Sequence, residues 1–361
     1  MLYHLLYPLR KYFFGFNLFA YISFRSAAAA ILALLISFII GPKIIRYLKK
    51  KQIGEEIRSD GPATHASKAG TPTMGGIIIL ISILIPTLLL AKLNNIYTLL
   101  IIIATVWMGI VGLLDDALKN IKKKPKGLVA RYKLYGQIGL GLLIGAIIYF
   151  NPEFSEFKSL STVPFLKDYE IDFGLLYIPM VVFVITATSN AVNLTDGLDG
   201  LAIGLVGISA LAWAGIAYVS GRADFSNYLN IIYLPGSGEL TVFAAALIGA
   251  ALGFLWYNSH PSSIFMGDTG ALALGSAIGT MAILLRKELL LIIIGGIFVA
   301  ESLSVIIQVF YYKRTKKRIF RMAPLHHHFE LMGIPESKIV IRFWIISIML
   351  ALFSLATFKI R

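Results

Sequence analysis

Residues 96–119 read IYTLLIIIATVWMGIVGLLDDALK. The stretch 96–114 carries no charge, and Asp115, Asp116 and Lys119 follow at once. About 20 apolar residues in a helix cross the ~30 Å hydrocarbon core of a bilayer. The stretch therefore reads as a membrane span that delivers two carboxylates to one face. Predominantly apolar runs of this kind recur near 26–45, 74–91, 96–114, 133–150, 173–192, 199–219, 240–257, 268–285, 289–311 and 339–358. We expect an all-α polytopic integral membrane protein with about ten transmembrane helices.

The composition agrees. Of 361 residues, 57% are hydrophobic and 14% charged, with a mean hydropathy of +0.78, against about 45–50% and ~25% in soluble proteins. A soluble enzyme, a disordered chain and a transmembrane β-barrel are excluded. No internal repeat or low-complexity linker divides the chain, so 1–361 is expected to be one integral-membrane domain. Within it, 1–25 reads as an interfacial segment, with Tyr12, Phe13, Phe14, Phe16 and Phe19 beside Arg10 and Lys11. It lacks the small-residue cleavage pattern of a signal peptide. The chain has no cysteine, which removes disulfides, thiolate ligands and a thiol nucleophile.

Ten spans put both termini on one side. The loops 41–73, 115–133, 193–198, 258–267 and 312–338 then share the other side, with 21 of the 33 basic residues. The positive-inside rule makes that face cytoplasmic and both termini extracytoplasmic. The net charge of +14 is thus topology and attraction to anionic lipid, and no nucleic-acid partner is needed.

Five aspartates, Asp115, Asp116, Asp196, Asp199 and Asp268, fall at cytoplasmic helix ends in this arrangement. Transporters place such groups near the midplane, so a cytoplasmic-face enzyme is favoured over a lipid or ion transporter. Neighbours on a helix point ~100° apart, so Asp115 and Asp116 should divide their labour. In TSNAVNLTDGLDGLA, Asn190, Asn193, Asp196 and Asp199 crowd one short link; a helix cap would explain only one of them. Asp268, in NSHPSSIFMGDTGAL, either caps the eighth span or meets a ligand. Phe265 beside it either stacks on a base or anchors at the interface. THASKAGTPTMGG brings Lys68, Thr71, Thr73 and a glycine pair, features of phosphate or nucleotide contact. MAPLHHHFE offers imidazoles suited to phosphate oxygens. Glu301 lies inside the ninth span, with Gln308 two turns later, and either serves function or pairs within the bundle. Mg²⁺ commonly binds through one or two carboxylates plus substrate phosphates. Together these parts point to metal-assisted phosphoryl transfer.

In order, THASKAGTPTMGG, GLLDDALK, NAVNLTDGLDGLA, FMGDTGALALG and MAPLHHHFELMG resemble the MraY family, the phospho-N-acetylmuramoyl-pentapeptide transferases, over essentially the whole chain. The resemblance implies transfer of phospho-N-acetylmuramoyl-pentapeptide from its UDP carrier to undecaprenyl phosphate, giving lipid I and UMP. It implies Mg²⁺, the bacterial inner membrane and a homodimer. By motif it makes Asp115, Asp116, Asp268 and His327 catalytic, with Asp268 the metal ligand. Lys68, Asn193, Asp196, Gly197, Leu198, Asp199 and Phe265 would form the nucleotide pocket, Phe265 stacking on uracil. Thr73, Asn190, Asn258, Gln308, His326 and His328 would surround sugar, diphosphate or peptide. A sister activity on UDP-N-acetylglucosamine is the alternative that TPTMGG and MAPLHHHFE argue against.

Overall fold

The computed structural model describes residues 1–52, 54, 70–122, 127–166 and 169–360, with 359 and 360 described by backbone alone. Its helices are α1 (Leu2–Leu6), α2 (Ile22–Lys50), α3 (Gly76–Leu90), α4 (Ile96–Asn120), α5 (Ala130–Phe150), α6 (Tyr177–Thr195) and α7 (Leu201–Ser220). They continue with α8 (Ala223–Leu229), α9 (Glu239–Asn258), α10 (Gly267–Leu284), α11 (Glu288–Ile294), α12 (Gly296–Thr315), α13 (Leu325–Glu330) and α14 (Glu336–Ile360). Among the described residues nine helices are long and apolar enough to cross a membrane, and α3, at 15 residues, is apolar but shorter. The protein is an all-α polytopic membrane protein. Its described strands, β1 (Leu160–Thr162) and β2 (Glu170–Asp172), form a small antiparallel hairpin in which Ser161 faces Ile171.

Small residues set the packing. In a bilayer no hydrophobic drive joins helices, so close backbone approach supplies the contact energy. The buried face of α2 repeats Ala29, Ala33, Ser37 and Gly41 at one-turn spacing. Opposite it on α9, Gly249 lies against the Ala30 backbone and Gly253 against Ser37, where any side chain would collide. The helix α10, GDTGALALGSAIGTMAIL, is buried on every face beyond its first two residues. Gly275 and Gly279 admit Ser189 and Thr188 of α6, and Gly112 of α4 meets the Asp268–Thr269 backbone. A helix this poor in bulk can be surrounded by others, and α10 is the axis of the bundle.

Three features differ from expectation. The ninth run, 289–311, is not one helix: it breaks at Gly295, whose N–H closes α11 on the Leu291 carbonyl at 2.8 Å. Adjacent Gly295 and Gly296 both have low helix propensity, so the break falls there. Beyond it α12 leaves the bundle, with Ile306 and Phe310 exposed. The second difference concerns the N-terminal segment, which ends at Tyr21 because α2 starts at Ile22. Arg25 is therefore inside the bundle, where it forms a bidentate pair with Glu239 (2.6 and 2.7 Å) and also donates to the Leu90 carbonyl (3.1 Å). The third is the glycine pair of TPTMGG, which is not a phosphate cradle. The N–H groups of Gly75 and Gly76 donate to the carbonyls of Phe265 and Met266, each at 2.8 Å, and Gly76 meets the backbone of Gly270. This pairing also delays the start of α3.

The basic asymmetry makes the sidedness testable, because the chain has no native cysteine. A single cysteine at Lys317 should react only with a reagent on the cytoplasmic side, and one at Glu156 only from outside. Opposite labelling would overturn the assignment of faces.

Candidate active site

The C-terminal turn of α4, the C-terminal turn of α6, the first turn of α5 and the first turn of α10 meet at one end of the bundle. They bring together Asp115, Asp116, Asp268, Asn193, Lys119 and Lys133. The two adjacent aspartates have different partners. Asp116 is buried and accepts from the start of α10: the Asp268 N–H at 3.1 Å, the Thr269 N–H at 2.9 Å and the Thr269 hydroxyl at 2.6 Å. The first N–H groups of a helix lack intrahelical partners and carry partial positive charge, so a carboxylate there is doubly stabilised. The N-cap residue of α10, Met266, makes no side-chain capping bond; the helix start is capped by Asp116, across the bundle.

Asp115 turns the other way. Its Oδ1 accepts the Leu128 N–H at 2.7 Å. Its Oδ2 lies 2.5 Å from Lys119 Nζ and 3.0 Å from Lys133 Nζ. Both ammonium groups also reach Asp268 Oδ2, Lys119 at 3.2 Å and Lys133 in close contact. Asn193 Nδ2 donates to the other oxygen of Asp268 at 2.9 Å. Two of the three carboxylates, Asp115 and Asp268, thus share two ammonium groups. The side chain of Asp268 is 15% exposed, whereas Asp115 and Asp116 are 0% and 2% exposed. Asp268 is the most exposed of the three acids.

The donor set suits a hard cation. One oxygen from each of the three acids lies within 4.8 Å of the others, and Asp115 Oδ2 receives no well-directed hydrogen bond although it is buried. All-oxygen coordination with few protein ligands is what Mg²⁺ accepts.

One turn beyond Asn193, the link 196–200 is held from three sides. Glu336 Oε1 accepts the Asp199 N–H at 2.6 Å. Asp199 Oδ2 accepts the Ser262 N–H and faces His260 Nδ1, both at 3.2 Å. Asn258 Oδ1 accepts the Gly200 N–H at 3.1 Å, while its Nδ2 donates to the Ile264 carbonyl at 2.8 Å. Gly200 has φ +78, a conformation that favours glycine. Leu198 is buried, and Asp196, half-exposed, ends α6.

The remaining expected residues divide. Thr73 is buried, its hydroxyl over Gly267 beside Asp116. Phe265 is half-buried, its N–H donating to the Pro72 carbonyl at 2.8 Å. Asn190 is exposed and donates to Gln137 Oε1 at 3.1 Å. His326 is buried beside Gly197, and its ring lies 4.2 Å from that of His327. His327 Nδ1 lies 2.7 Å from Glu330 Oε2. Gln308 and His328 hold the preceding loop: Gln308 Oε1 accepts the N–H groups of Ile319 and Phe320, and His328 Nδ1 that of Arg321. Lys68 lies outside the described residues. Sequence reasoning missed Lys133, His260, Glu330 and Glu336. For Lys133 a signal existed, a lysine in the first turn of a span on the acidic face. The other three are ordinary loop and helix-end residues until folded.

Fold and site together define a polytopic membrane protein with an acidic, lysine-bridged centre at one end of its helices. The chain matches glycosyl transferase family 4 over residues 98–286, and the phospho-N-acetylmuramoyl-pentapeptide-transferase signature 1 over 68–80. It is 52% identical over its full length to the whole phospho-N-acetylmuramoyl-pentapeptide-transferase of Thermodesulfovibrio yellowstonii. It is 52% identical to that of Citrifermentans bemidjiense and 51% to that of Chloroherpeton thalassium, again with both chains fully covered. The chain belongs to the phospho-N-acetylmuramoyl-pentapeptide-transferase family.

Lys133 generates a prediction. Lys133→Met leaves Asp115 and Asp268 short of a counter-charge. Without divalent cation the variant should unfold more easily, by about 1.5–3 kcal/mol for a lost hydrogen bond to a charged group. Added Mg²⁺ should recover most of that loss. Thermal unfolding in detergent, with chelator and with Mg²⁺, checks both parts.

Proposed function

We propose that this chain transfers phospho-N-acetylmuramoyl-pentapeptide from its UDP carrier to undecaprenyl phosphate. The products are UMP and lipid I, in the first membrane step of peptidoglycan synthesis at the bacterial inner membrane. Full-length identity of about half to relatives of that name supports the activity, and the convergence of Asp115, Asp116 and Asp268 supports the chemistry. That convergence is the observation that carries the mechanism.

Asp268, with Asp115, would hold Mg²⁺. When bound, the ion neutralises charge developing on the diphosphate oxygens. The chain's own groups supply the rest. Lys119 and Lys133, placed between two carboxylates, are oriented to meet phosphate oxygens entering from the Asp268 side. Asn193 holds the carboxylate of Asp268 in one orientation. The link 196–200, with Phe265, would take the uridine. Both substrates are anionic, and the basic cytoplasmic loops raise their local concentration.

The attacking group needs little activation. A phosphate monoester has a second pKa of about 6, so the lipid phosphate is largely dianionic at neutral pH. Both oxygens of Asp116 are engaged by α10, and Asp115 is held by Leu128 and two lysines. Neither acid is presented as a free nucleophile, which supports direct attack by the lipid phosphate over a phospho-enzyme route.

UMP release from UDP-N-acetylmuramoyl-pentapeptide with undecaprenyl phosphate, with and without Mg²⁺, tests the reaction. Release from UDP-N-acetylglucosamine at a greater rate would favour the sister activity instead. Asp268→Asn should leave the helix start intact, because Asp116 caps it, yet reduce turnover by roughly three decades, at ~1.4 kcal/mol per decade. Near-normal turnover in the folded variant would sink the assignment of Asp268. Phe265→Ala should weaken binding of the UDP substrate by about 1–3 kcal/mol, the range for base–aromatic stacking, and leave affinity for undecaprenyl phosphate unchanged. Equal losses for both substrates would rule out stacking.

A further inference from the structure

Glu301 lies fully buried in α12, a helix whose later turns expose Leu303, Ile306 and Phe310. An acid in that position is costly unless something holds it. The backbone N–H of His326 donates to Glu301 Oε1 at 3.2 Å, and the same oxygen lies 3.3 Å from His326 Nδ1. A carboxylate beside one ring nitrogen of a histidine sets the orientation of the other. Neither ring nitrogen has a hydrogen-bond partner: Nδ1 faces the Glu301 carboxylate as a nearby charge, and the buried Nε2 faces the α-carbon of Gly197, where a methyl group would overlap it. Buried polar atoms nearly always have a partner. This one is aimed at the middle of the 196–199 turn.

We infer that Glu301 is a positioning residue: it orients His326, and His326 in turn sets the Gly197 turn in the geometry that receives the nucleotide. Three remote segments are linked in this way, α12 through Glu301, α13 through His326 and the α6–α7 link through Gly197. His327 is carried along by its ring contact with His326. The absence of a side chain at Gly197 is what lets the imidazole edge reach the turn. The inference rests on the reading of 196–199 as part of the nucleotide pocket.

The test is steady-state kinetics of the full chain in detergent, each substrate varied in turn, on the wild type, Glu301→Gln, Glu301→Leu and Gly197→Ala. Glu301→Gln keeps an oxygen for the His326 N–H but loses its charge toward the ring. Its KM for the UDP substrate should rise about 3- to 10-fold, the size of one net hydrogen bond, with the KM for undecaprenyl phosphate unchanged. Glu301→Leu should raise it further. Gly197→Ala pushes on the same nitrogen from the opposite side and should give the same selective rise, so the test survives if the Glu301 variants do not fold. Equal rises in both KM values, or unchanged nucleotide KM in every folded variant, would overturn the role of Glu301. A wild type that releases no UMP would overturn the reaction instead. Calorimetric binding of UMP would then read the positioning role directly: weaker binding in the variants supports it, and equal binding overturns it.

Discussion

A helix that starts inside a membrane bundle exposes N–H groups that neither its own turns nor bulk water can satisfy. Asp116 resolves this for α10 by accepting from two backbone N–H groups and the Thr269 hydroxyl. The close approach is possible because Gly112 has no side chain between α4 and the Asp268–Thr269 backbone. Once the two helices are joined in that register, Asp268 has one position, beside Asp115 and within reach of Lys119 and Lys133. The rest of the centre depends on this junction.

The three acids therefore differ in what they can do, although they are chemically alike. Asp116 accepts from the start of α10, Asp115 is held by a backbone N–H and two ammonium groups, and Asp268 is the most open of the three. In the function proposed above, such a site would act by placing charge, with little covalent chemistry left to the protein. The two lysines suit such a centre. They balance the acids, and they stand where substrate phosphates would need positive charge.

Several residues of the motifs join one loop or helix to another. Gly75 and Gly76 dock one loop on another and let α3 meet α10. Asn258 uses both ends of its amide to join the Gly200 turn to the 259–264 loop, and Gln308 pins residues 319 and 320. These contacts shape the walls around the site. The same geometry supplies Glu301 with an account that its isolated place in an apolar run could not.

The spans, the basic asymmetry and the clustering of acids at helix ends were legible because they are local. A window of about 20 residues carries enough hydropathy to define a membrane helix, and motif order survives without any knowledge of contacts. The break at Gly295 was only half visible, since two glycines lower helix propensity without compelling a break. The pairings were not legible at all. Lys133 and Asp268 are 135 residues apart, Arg25 and Glu239 are 214, and Asp116 and Thr269 are 153. Hydropathy belongs to a segment, so the sequence by itself determined which segments enter the membrane and which acids lie at their ends. A hydrogen bond between remote side chains exists only after helices pack, so tertiary structure alone decided which acid caps α10, which lysines bridge the centre and which histidine Glu301 holds.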